Sequence, residues 1–395
     1  MSNLPIGYLI TVLFLAWCTY FVVAPTHWPR TWRSFGTYFE VINEVPFLAL
    51  FWLMSSTYLA FSEGDLAHPI GKIAFGLALL VIGGLVVIIY WGLQSAAAVR
   101  RALDDGLGEG WQTILPAKME KQFQKKFTAK ALIVPFFNRR FDVQRTANIR
   151  YGDAGERNPI DVYRSRFHSN GGPVLIHLHG GSFVSGRKNT QSLPLLYELA
   201  SRGWVCISAN YRLSFEGTFP NHLIDVKKVI AWVREHVEEY GADPSNLFLA
   251  GNSSGAHIAA MAALTPNNPR FQPGFEDVDT TITAVICQGG YYGSIAKKIV
   301  APSSPMAYID KNAPPFFIVH GDRDRIVPVE QARGFVNQLR EKTSRPVVYV
   351  ELPHASHTID LFHSLSSQAI LQGVQAFTTW VRSNQERPSR EASKK

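Results

Sequence analysis

The chain has 395 residues, more than a typical single domain, so we expect one large domain with an appendage. Its formal charge is +8 and its pI is near 9.3, but no basic helix or aromatic-arginine stripe indicates a nucleic-acid reader; an anionic membrane surface is the favoured partner. Cys18, Cys206 and Cys287 lie in separate apolar segments without metal-ligand spacing, which argues against a disulfide framework and against a metal site.

Three apolar runs in the first hundred residues predict transmembrane helices. They cover about 4–24, 45–61 and 73–93, close to the roughly 20 residues that cross a bilayer. A cleaved signal peptide is the rival for the first run, but no lysine or arginine precedes it and no small-x-small site follows. Buried core helices are the alternative for all three runs. This alternative is disfavoured, because the runs have no polar face to turn to water. We therefore expect residues 1–98 to form a multi-pass region of the cell membrane.

The charges between these runs predict an orientation. Arg30 and Arg33 lie in the first loop, the second loop is acidic, and Arg100 directly follows the third run. By the positive-inside rule, the first loop and everything after the third run are cytoplasmic, and the N-terminus is outside. Glu40 and Glu44, also in the first loop, weaken this asymmetry.

The next segment, 99–141, is predicted to be a basic amphipathic linker or cap. Its residues 111–140 interleave aromatic and aliphatic side chains with seven lysines and arginines. That pattern favours a segment that lies on anionic headgroups and covers an acyl pocket, over a solvated helix that joins two domains. From 142 to 383 strand and helix patterns alternate, which predicts an α/β domain with a mostly parallel sheet and helices on both faces. The charged tail, 384–395, is expected to be disordered.

The stretch 246–261 contains the first catalytic candidate. An apolar strand pattern breaks at Gly251-Asn252-Ser253-Ser254-Gly255 and resumes in helix formers. A Gly-x-Ser-x-Gly sequence between a strand and a helix is typical of a nucleophile elbow, in which a strained turn lifts the serine Oγ above the sheet edge. The helix N-terminus also directs free N–H groups towards an oxyanion at this position. Ser253 is therefore the candidate nucleophile.

The candidate acid and base follow later strands. Asp324 comes just after a Gly turn at the end of a buried strand and is preferred as the acid, whereas Asp322 is expected to cap the turn. His357, in the loop after the last strand, is the preferred base, with His354 second and His363 third. Ser253, Asp324 and His357 then occur in the chain order Ser, Asp, His expected of such an enzyme.

A Gly-rich turn after an early strand supplies the candidate oxyanion donors. His179 is followed by Gly180, Gly181 and Ser182, small residues that let backbone N–H groups face a ligand. With the N–H of Ser254, these residues form the predicted oxyanion hole. A plain glycine turn is the alternative.

From about 142 to 382 the chain resembles an α/β-hydrolase of the hormone-sensitive-lipase-like carboxylesterase group. The residues that carry the resemblance are His179-Gly180-Gly181, Asn210-Tyr211-Arg212-Leu213, Phe219-Pro220, Gly251-Asn252-Ser253-Ser254-Gly255, His320-Gly321-Asp322-Arg323-Asp324 and His357. The apolar runs, with stretches 203–212 and 225–228, resemble membrane-anchored esterase/lipase proteins of actinobacteria. This resemblance implies hydrolysis of short to medium acyl esters through an acyl-enzyme, without a cofactor.

Three departures from the family pattern bear on the substrate range. Ser182 replaces a third glycine and Ser254 replaces a common alanine, so each adds a hydroxyl near the site. Ser214-Phe215-Glu216 stands where the family often has Ala-Pro-Glu. None of these changes touches the predicted triad.

Together these patterns predict a membrane-anchored serine carboxylesterase or lipase whose acyl-ester substrate is lipidic. An acyltransferase or deacetylase that uses the same triad on a lipid or glycolipid is the first alternative. A catalytically silent membrane scaffold is the second.

Overall fold

The structure is a computed structural model that describes residues 4–24, 39–115, 134–167, 171–296 and 301–392. Its helices are α1 Ile6–Val23, α2 Pro46–Ser62, α3 Pro69–Leu107, α4 Leu193–Ser201, α5 Asn221–His236, α6 Ser254–Leu264, α7 Glu330–Lys342 and α8 Leu365–Ala392. Its strands are β1 Val143–Arg150, β2 Pro159–Ser165, β3 Gly172–Leu178, β4 Val205–Ala209, β5 Ala242–Asn252, β6 Ala284–Gln288, β7 Phe316–Gly321 and β8 Val347–Leu352. Residues 116–133 of the predicted basic segment, and Arg30 and Arg33 of the first loop, lie outside the described residues.

The described strands form one sheet in the order β1-β2-β4-β3-β5-β6-β7-β8. β2 is antiparallel to both of its neighbours, and the pairs from β4 to β8 are parallel. The predicted mostly parallel α/β sheet is therefore confirmed. Because parallel strands end at the same edge, β5, β6, β7 and β8 bring the loops that follow them together on that edge.

Alternating side chains of the strands fill two cores, one on each face of the sheet. In β7, Phe316 and Ile318 belong to the core under α5, α6 and α7, whereas Phe317 and Val319 belong to the opposite core. This follows from the two-residue period of a strand, since both faces of a parallel sheet are covered by helices. The second face is covered by α4, α8 and the C-terminal part of α3.

The N-terminal apolar runs form three helices that pack together in a separate core. Within the described residues, α1 and α3 are long and apolar enough to cross a membrane, whereas α2 has 17 residues and is shorter. Their outward faces carry large apolar side chains: Ile10, Phe51 and Leu80 are 62%, 70% and 74% exposed. Such a surface is unusual for a protein surrounded by water.

Helix α3 does not end with the predicted third span at 93. It continues to Leu107, and its 39 residues make it roughly 58 Å long, about twice the thickness of a bilayer core. Val99, Ala102 and Leu103 are buried in the core of the α/β domain. The predicted start of the linker at 99 is therefore wrong, because residues 99–107 belong to α3. The apolar side chains of this part of α3 pack against the sheet.

The last helix also extends further than predicted. α8 runs to Ala392, so the predicted disordered tail is helical over 384–392, and 393–395 lie outside the described residues. Asn384 Nδ2 donates to the carbonyl of Trp380, four residues earlier. Glutamate, glutamine and arginine in this segment are good helix formers, so a polar composition did not prevent the helix from continuing.

Candidate active site

Ser253 occupies a strained turn between β5 and α6. Its backbone has φ 53° and ψ −117°, a conformation that costs a non-glycine residue about 1–3 kcal/mol. The Ser253 N–H donates to the carbonyl of Gln288 at the end of β6 at 2.8 Å, which holds the turn against the sheet edge. A Cβ at Gly255 would collide with the backbone of Leu178, so only glycine allows α6 to begin this close to β3. The turn has the geometry predicted for the elbow.

Asp324 and His357 are in direct contact. His357 Nδ1 donates to Asp324 Oδ2 at 2.6 Å. The other oxygen, Oδ1, accepts the N–H groups of Ile326 and Val327 at 2.9 and 2.8 Å, which fixes the carboxylate in its loop. His320 Nε2 lies 3.2 Å from Oδ2. Burial raises the pKa of Asp324, but the hydrogen bonds from His320 and His357 outweigh it and lower that pKa to about 2. Asp324 is therefore an anion at neutral pH.

The charge of Asp324 acts on His357. Burial lowers the pKa of His357, but the hydrogen bond and the charge of Asp324 outweigh it, and the net pKa is raised above its usual value. His357 and Ser253 line the same small cavity, of about 40 Å³. Within the described residues no hydrogen bond joins Ser253 Oγ to His357; in free enzymes such contacts often tighten only when the substrate binds.

The turn after β3 has three consecutive residues with positive φ. Gly181, Ser182 and Phe183 have φ of 129°, 55° and 64°. Within the described residues, the N–H groups of Gly181, Ser182 and Ser254 donate to no other protein group. A backbone N–H without a protein partner can bind an anionic oxygen.

Gly180 differs from its neighbours in this turn. Its N–H donates to Oε1 of Gln191 at 2.5 Å, which removes it from the free donors. A Cβ at this position would lie 2.9 Å from both Ser253 Cβ and Asn252 O. Gly180 therefore provides space for Ser253 rather than a free N–H group.

The remaining sequence candidates have other contacts. Asp322 Oδ1 accepts the N–H of His354 at 2.7 Å, so this carboxylate joins the acid loop to the base loop. The ring of His354 stacks on Trp91. His363 lies before α8, where its N–H donates to the carbonyl of Pro135. The Ser254 hydroxyl is buried, without a hydrogen-bond partner among the described residues.

Sequence reasoning missed a polar network beneath the cavity. Asp360 lines the cavity, and its Oδ2 accepts from the N–H and the hydroxyl of Ser192 at 3.2 and 3.3 Å. The Ser192 hydroxyl also contacts Asn252 Oδ1 at 3.0 Å, which in turn contacts His177 Nε2 at 2.8 Å. A carboxylate three residues after the candidate base was the available signal. No group of three or more metal-binding side chains occurs in the described part of the chain.

The sheet order, the elbow at Ser253 and the ordered acid and base loops define the class of the protein as an α/β-hydrolase. The chain matches the BD-FAE family over residues 160–293 and 290–339. It is similar to Thermogutta terrifontis esterase 2 phosphoramylated by tabun, with a TM-score of 0.52 and 21% identity over 60% of this chain and 94% of the other. At that identity the likeness shows the fold.

Curated relatives identify the family within this class. The chain is 36% identical over 355 residues to the probable carboxylic ester hydrolase LipM of Mycobacterium tuberculosis, covering 83% of this chain and 82% of the relative. It is 34% identical over 317 residues to the esterase LipQ of the same organism, covering 73% and 75%. The chain belongs to the α/β-hydrolase carboxylesterases, a family of carboxylic ester hydrolases.

Proposed function

We propose that the protein is a membrane-anchored serine carboxylesterase that hydrolyses lipidic acyl esters through Ser253, His357 and Asp324. The observation that carries the proposal is the 2.6 Å contact between His357 Nδ1 and Asp324 Oδ2, since His357 also lines the cavity that Ser253 lines. A histidine oriented by a buried carboxylate is the base that a serine nucleophile requires.

Each group has a defined step in this mechanism. Asp324 keeps the proton of His357 on Nδ1, so that Nε2 is free to accept the Ser253 proton as Oγ attacks the acyl carbonyl. The protonated imidazole then gives its proton to the leaving alcohol, and an acyl-enzyme remains. His357 next removes a proton from water, which attacks the acyl carbon. The imidazolium then returns this proton to Ser253 Oγ as the bond between Oγ and the acyl carbon breaks and the carboxylic acid is released. Asp324 stabilises the imidazolium in both steps.

The N–H groups of Gly181, Ser182 and Ser254 are the proposed oxyanion donors. These three N–H groups have no protein partner in the part of the chain that the structure describes. Ser254 also stands at the N-terminus of α6, where the helix dipole favours negative charge. Preorganised donors of this kind account for about 3–4 kcal/mol of transition-state stabilisation each in a related type of site.

Membrane anchoring and a lipidic substrate are proposed on the basis of the N-terminal helices. The exposed apolar side chains of α1, α2 and α3 suit contact with lipid, and two of these helices have the length to span a bilayer. The end of the third apolar run is close to the site, since Trp91 stacks on His354, three residues before His357. An ester in the adjoining leaflet would have a short path to Ser253. We propose that the catalytic domain is on the cytoplasmic side.

Ser253→Ala tests the proposed nucleophile. Hydrolysis of p-nitrophenyl acyl esters by the detergent-solubilised full chain should fall about 10³-fold or more. The remaining rate is the one that the oxyanion donors support without the serine nucleophile. Ser201→Ala, at the end of α4, is the matched control and should keep wild-type activity, because its hydroxyl only contacts Glu198 in its own helix. Wild-type hydrolysis by Ser253→Ala would refute the assignment.

Acyl transfer or deacetylation by the same residues is the second candidate function. It differs from hydrolysis in the acceptor, so product analysis with and without added alcohol acceptors separates the two. Water as the dominant acceptor at high alcohol concentration supports hydrolysis. A silent scaffold would not react with a fluorophosphonate probe that labels a control esterase.

Cysteine labelling in intact cells tests the orientation. Glu341→Cys, exposed on α7, should not react with an impermeant maleimide until the cells are permeabilised. Glu63→Cys, exposed between α2 and α3, should react in intact cells because this loop is expected on the outer side. The three native cysteines are buried, so they give little background. The reverse labelling pattern would place the catalytic domain outside.

A further inference from the structure

Two arginines flank the candidate acid, and both bind the C-terminus of α1. Arg323 Nη1 donates to the carbonyl of Val22 at 3.1 Å, and Arg325 Nη2 donates to the carbonyl of Phe21 at 2.9 Å. The last carbonyls of a helix lack partners within the helix, and the helix dipole favours cations there. The residues on both sides of Asp324 are thus attached to the first apolar helix.

Arg325 also pairs with a buried carboxylate of the first loop. Its Nη1 lies 3.3 Å from Glu40 Oε1, and the side chains of Arg325 and Glu40 are only 17% and 4% exposed. Burial raises the pKa of Glu40 to about 7, against the opposing effect of Arg325. A buried charge is costly unless it is paired, so the pairing with Arg325 favours the ionised form of Glu40.

Helix α3 contacts the same two catalytic loops from another side. The ring of Trp91 stacks on His354 at 4.2 Å between centroids, and the guanidinium of Arg323 lies 4.6 Å above the Trp91 ring. A cation over an indole face at this distance is a favourable contact. One aromatic side chain therefore touches the loop of the acid and the loop of the base.

We propose that the N-terminal helices complete the active site, with Arg325 and Glu40 acting as positioning residues that hold Asp324 against His357. The proposal rests on the proposed triad, because a positioning role has meaning only if Asp324 and His357 act together. The helices then serve the chemistry as well as the attachment to the membrane.

The physical basis is that Asp324 lies directly between Arg323 and Arg325, whose guanidinium groups are both bound to α1. Movement of α1 would therefore move the carboxylate of Asp324. Misplacement by about 1 Å can reduce an enzymatic rate about 100-fold. Without Arg325, Glu40 loses its paired charge, and the acid loop loses its contacts with Glu40 and with the Phe21 carbonyl, while the contact of Arg323 with the Val22 carbonyl remains.

The pKa of His357 depends on how Asp324 and Glu40 are placed around it. The charged groups that face His357 are Asp324, Asp360 and Glu40, and all three raise its pKa, while His320 shares the carboxylate of Asp324. Loosening Asp324, or neutralising Glu40, therefore lowers the pKa of His357. The acidic limb of kcat/KM should then move to lower pH.

The test compares Arg325→Met and Glu40→Gln with Arg333→Met in the full-length solubilised protein. Arg333 pairs with Glu351 on the surface of the catalytic domain, so it is a matched arginine control. Active sites are counted by fluorophosphonate titration, which separates loss of folded enzyme from loss of turnover. We expect kcat per labelled site to fall about 10- to 100-fold in the first two variants and to stay within about twofold in the control.

The pH profile decides between positioning and a merely structural role. A lower kcat per site together with an acidic limb shifted to lower pH supports the proposal. An unchanged limb, or a loss of activity that matches only the loss of labelled sites, overturns it. Failure of the proposed function looks different, since hydrolysis by the wild-type protein would then not depend on Ser253.

Discussion

Replacement of Asp324 by asparagine changes one atom of the acid and should remove most of the turnover. Oδ1 of Asp324 accepts the N–H groups of Ile326 and Val327, so an asparagine can keep both contacts with its own Oδ1. Its amide nitrogen then occupies the place of Oδ2, facing His357 Nδ1. An N–H at this position requires Nδ1 to be an acceptor, which moves the imidazole proton to Nε2. Nδ1, and no longer Nε2, is then the unprotonated nitrogen of His357.

The expected magnitude follows from that tautomer. With a proton on Nε2, His357 cannot accept the proton of Ser253 Oγ. The corresponding change in a serine protease triad lowers kcat about 10⁴-fold, or about 5 kcal/mol in the activation free energy. The fold should persist, because the loop contacts of Oδ1 are retained.

The assay is kcat on p-nitrophenyl esters, with circular dichroism to confirm folding. Asp322→Asn is the matched control: Asp322 Oδ1 accepts one N–H, that of His354, which an amide oxygen can also do. Its kcat should stay within about tenfold of wild type. A folded Asp324→Asn protein with turnover within tenfold of wild type would refute this assignment of the acid.

Three further predictions follow from the same geometry. The raised pKa of His357 means that kcat/KM should rise with pH through an apparent pKa above the usual value of about 6.5, because only the neutral imidazole is a base; an apparent pKa below 6 would contradict this. Gly180→Ala should lower kcat about 100-fold, since its Cβ would lie 2.9 Å from Ser253 Cβ; unchanged kcat would contradict the close approach. Gly106→Ala should destabilise the protein by about 1–3 kcal/mol in chemical unfolding, as its Cβ would lie 2.8 Å from Val348 Cα; Gly76→Ala, with open space around it, should not, and equal effects of the two would contradict the packing of α3 on β8.

The alternation of strands and helices was predictable because it is a local property. Val205–Ala209 is a short, mainly apolar run, as expected of a parallel strand that is covered on both faces. Leu193–Ser201, between β3 and β4, has the apolar spacing of a helix. The elbow was equally local, since strand, glycines and helix lie within about 16 residues. The candidate acid and base were chosen from their order along the chain after the serine.

The contacts between the N-terminal helices and the catalytic loops were not predictable in this way. Glu40 and Glu44 were interpreted as loop charges that weaken the orientation signal, yet both are buried. Arg325 directly follows the candidate acid, and the sequence indicated no role for it. Its partner lies 285 residues earlier, and no local pattern encodes a contact of that separation.

The helix α3 was misjudged for a related reason. The basic pattern of residues 111–140 suggested a linker or cap that begins at 99. Val99, Ala102 and Leu103 are instead buried against the sheet, on the opposite side of α3 from the exposed Arg100. A helix can be charged on one side and buried on the other, and only packing decides which side matters. Gln191, whose side chain takes up the Gly180 N–H, likewise lies 11 residues away in a turn without a motif.

Mapping the site of covalent modification tests the central claim most directly. The full-length protein is treated with a fluorophosphonate, digested, and examined by mass spectrometry alongside the Ser253→Ala variant. We predict one adduct, on the peptide that contains Ser253, formed in parallel with loss of esterase activity and absent in the variant. An adduct on another residue, or complete inactivation with Ser253 unmodified, would contradict the account.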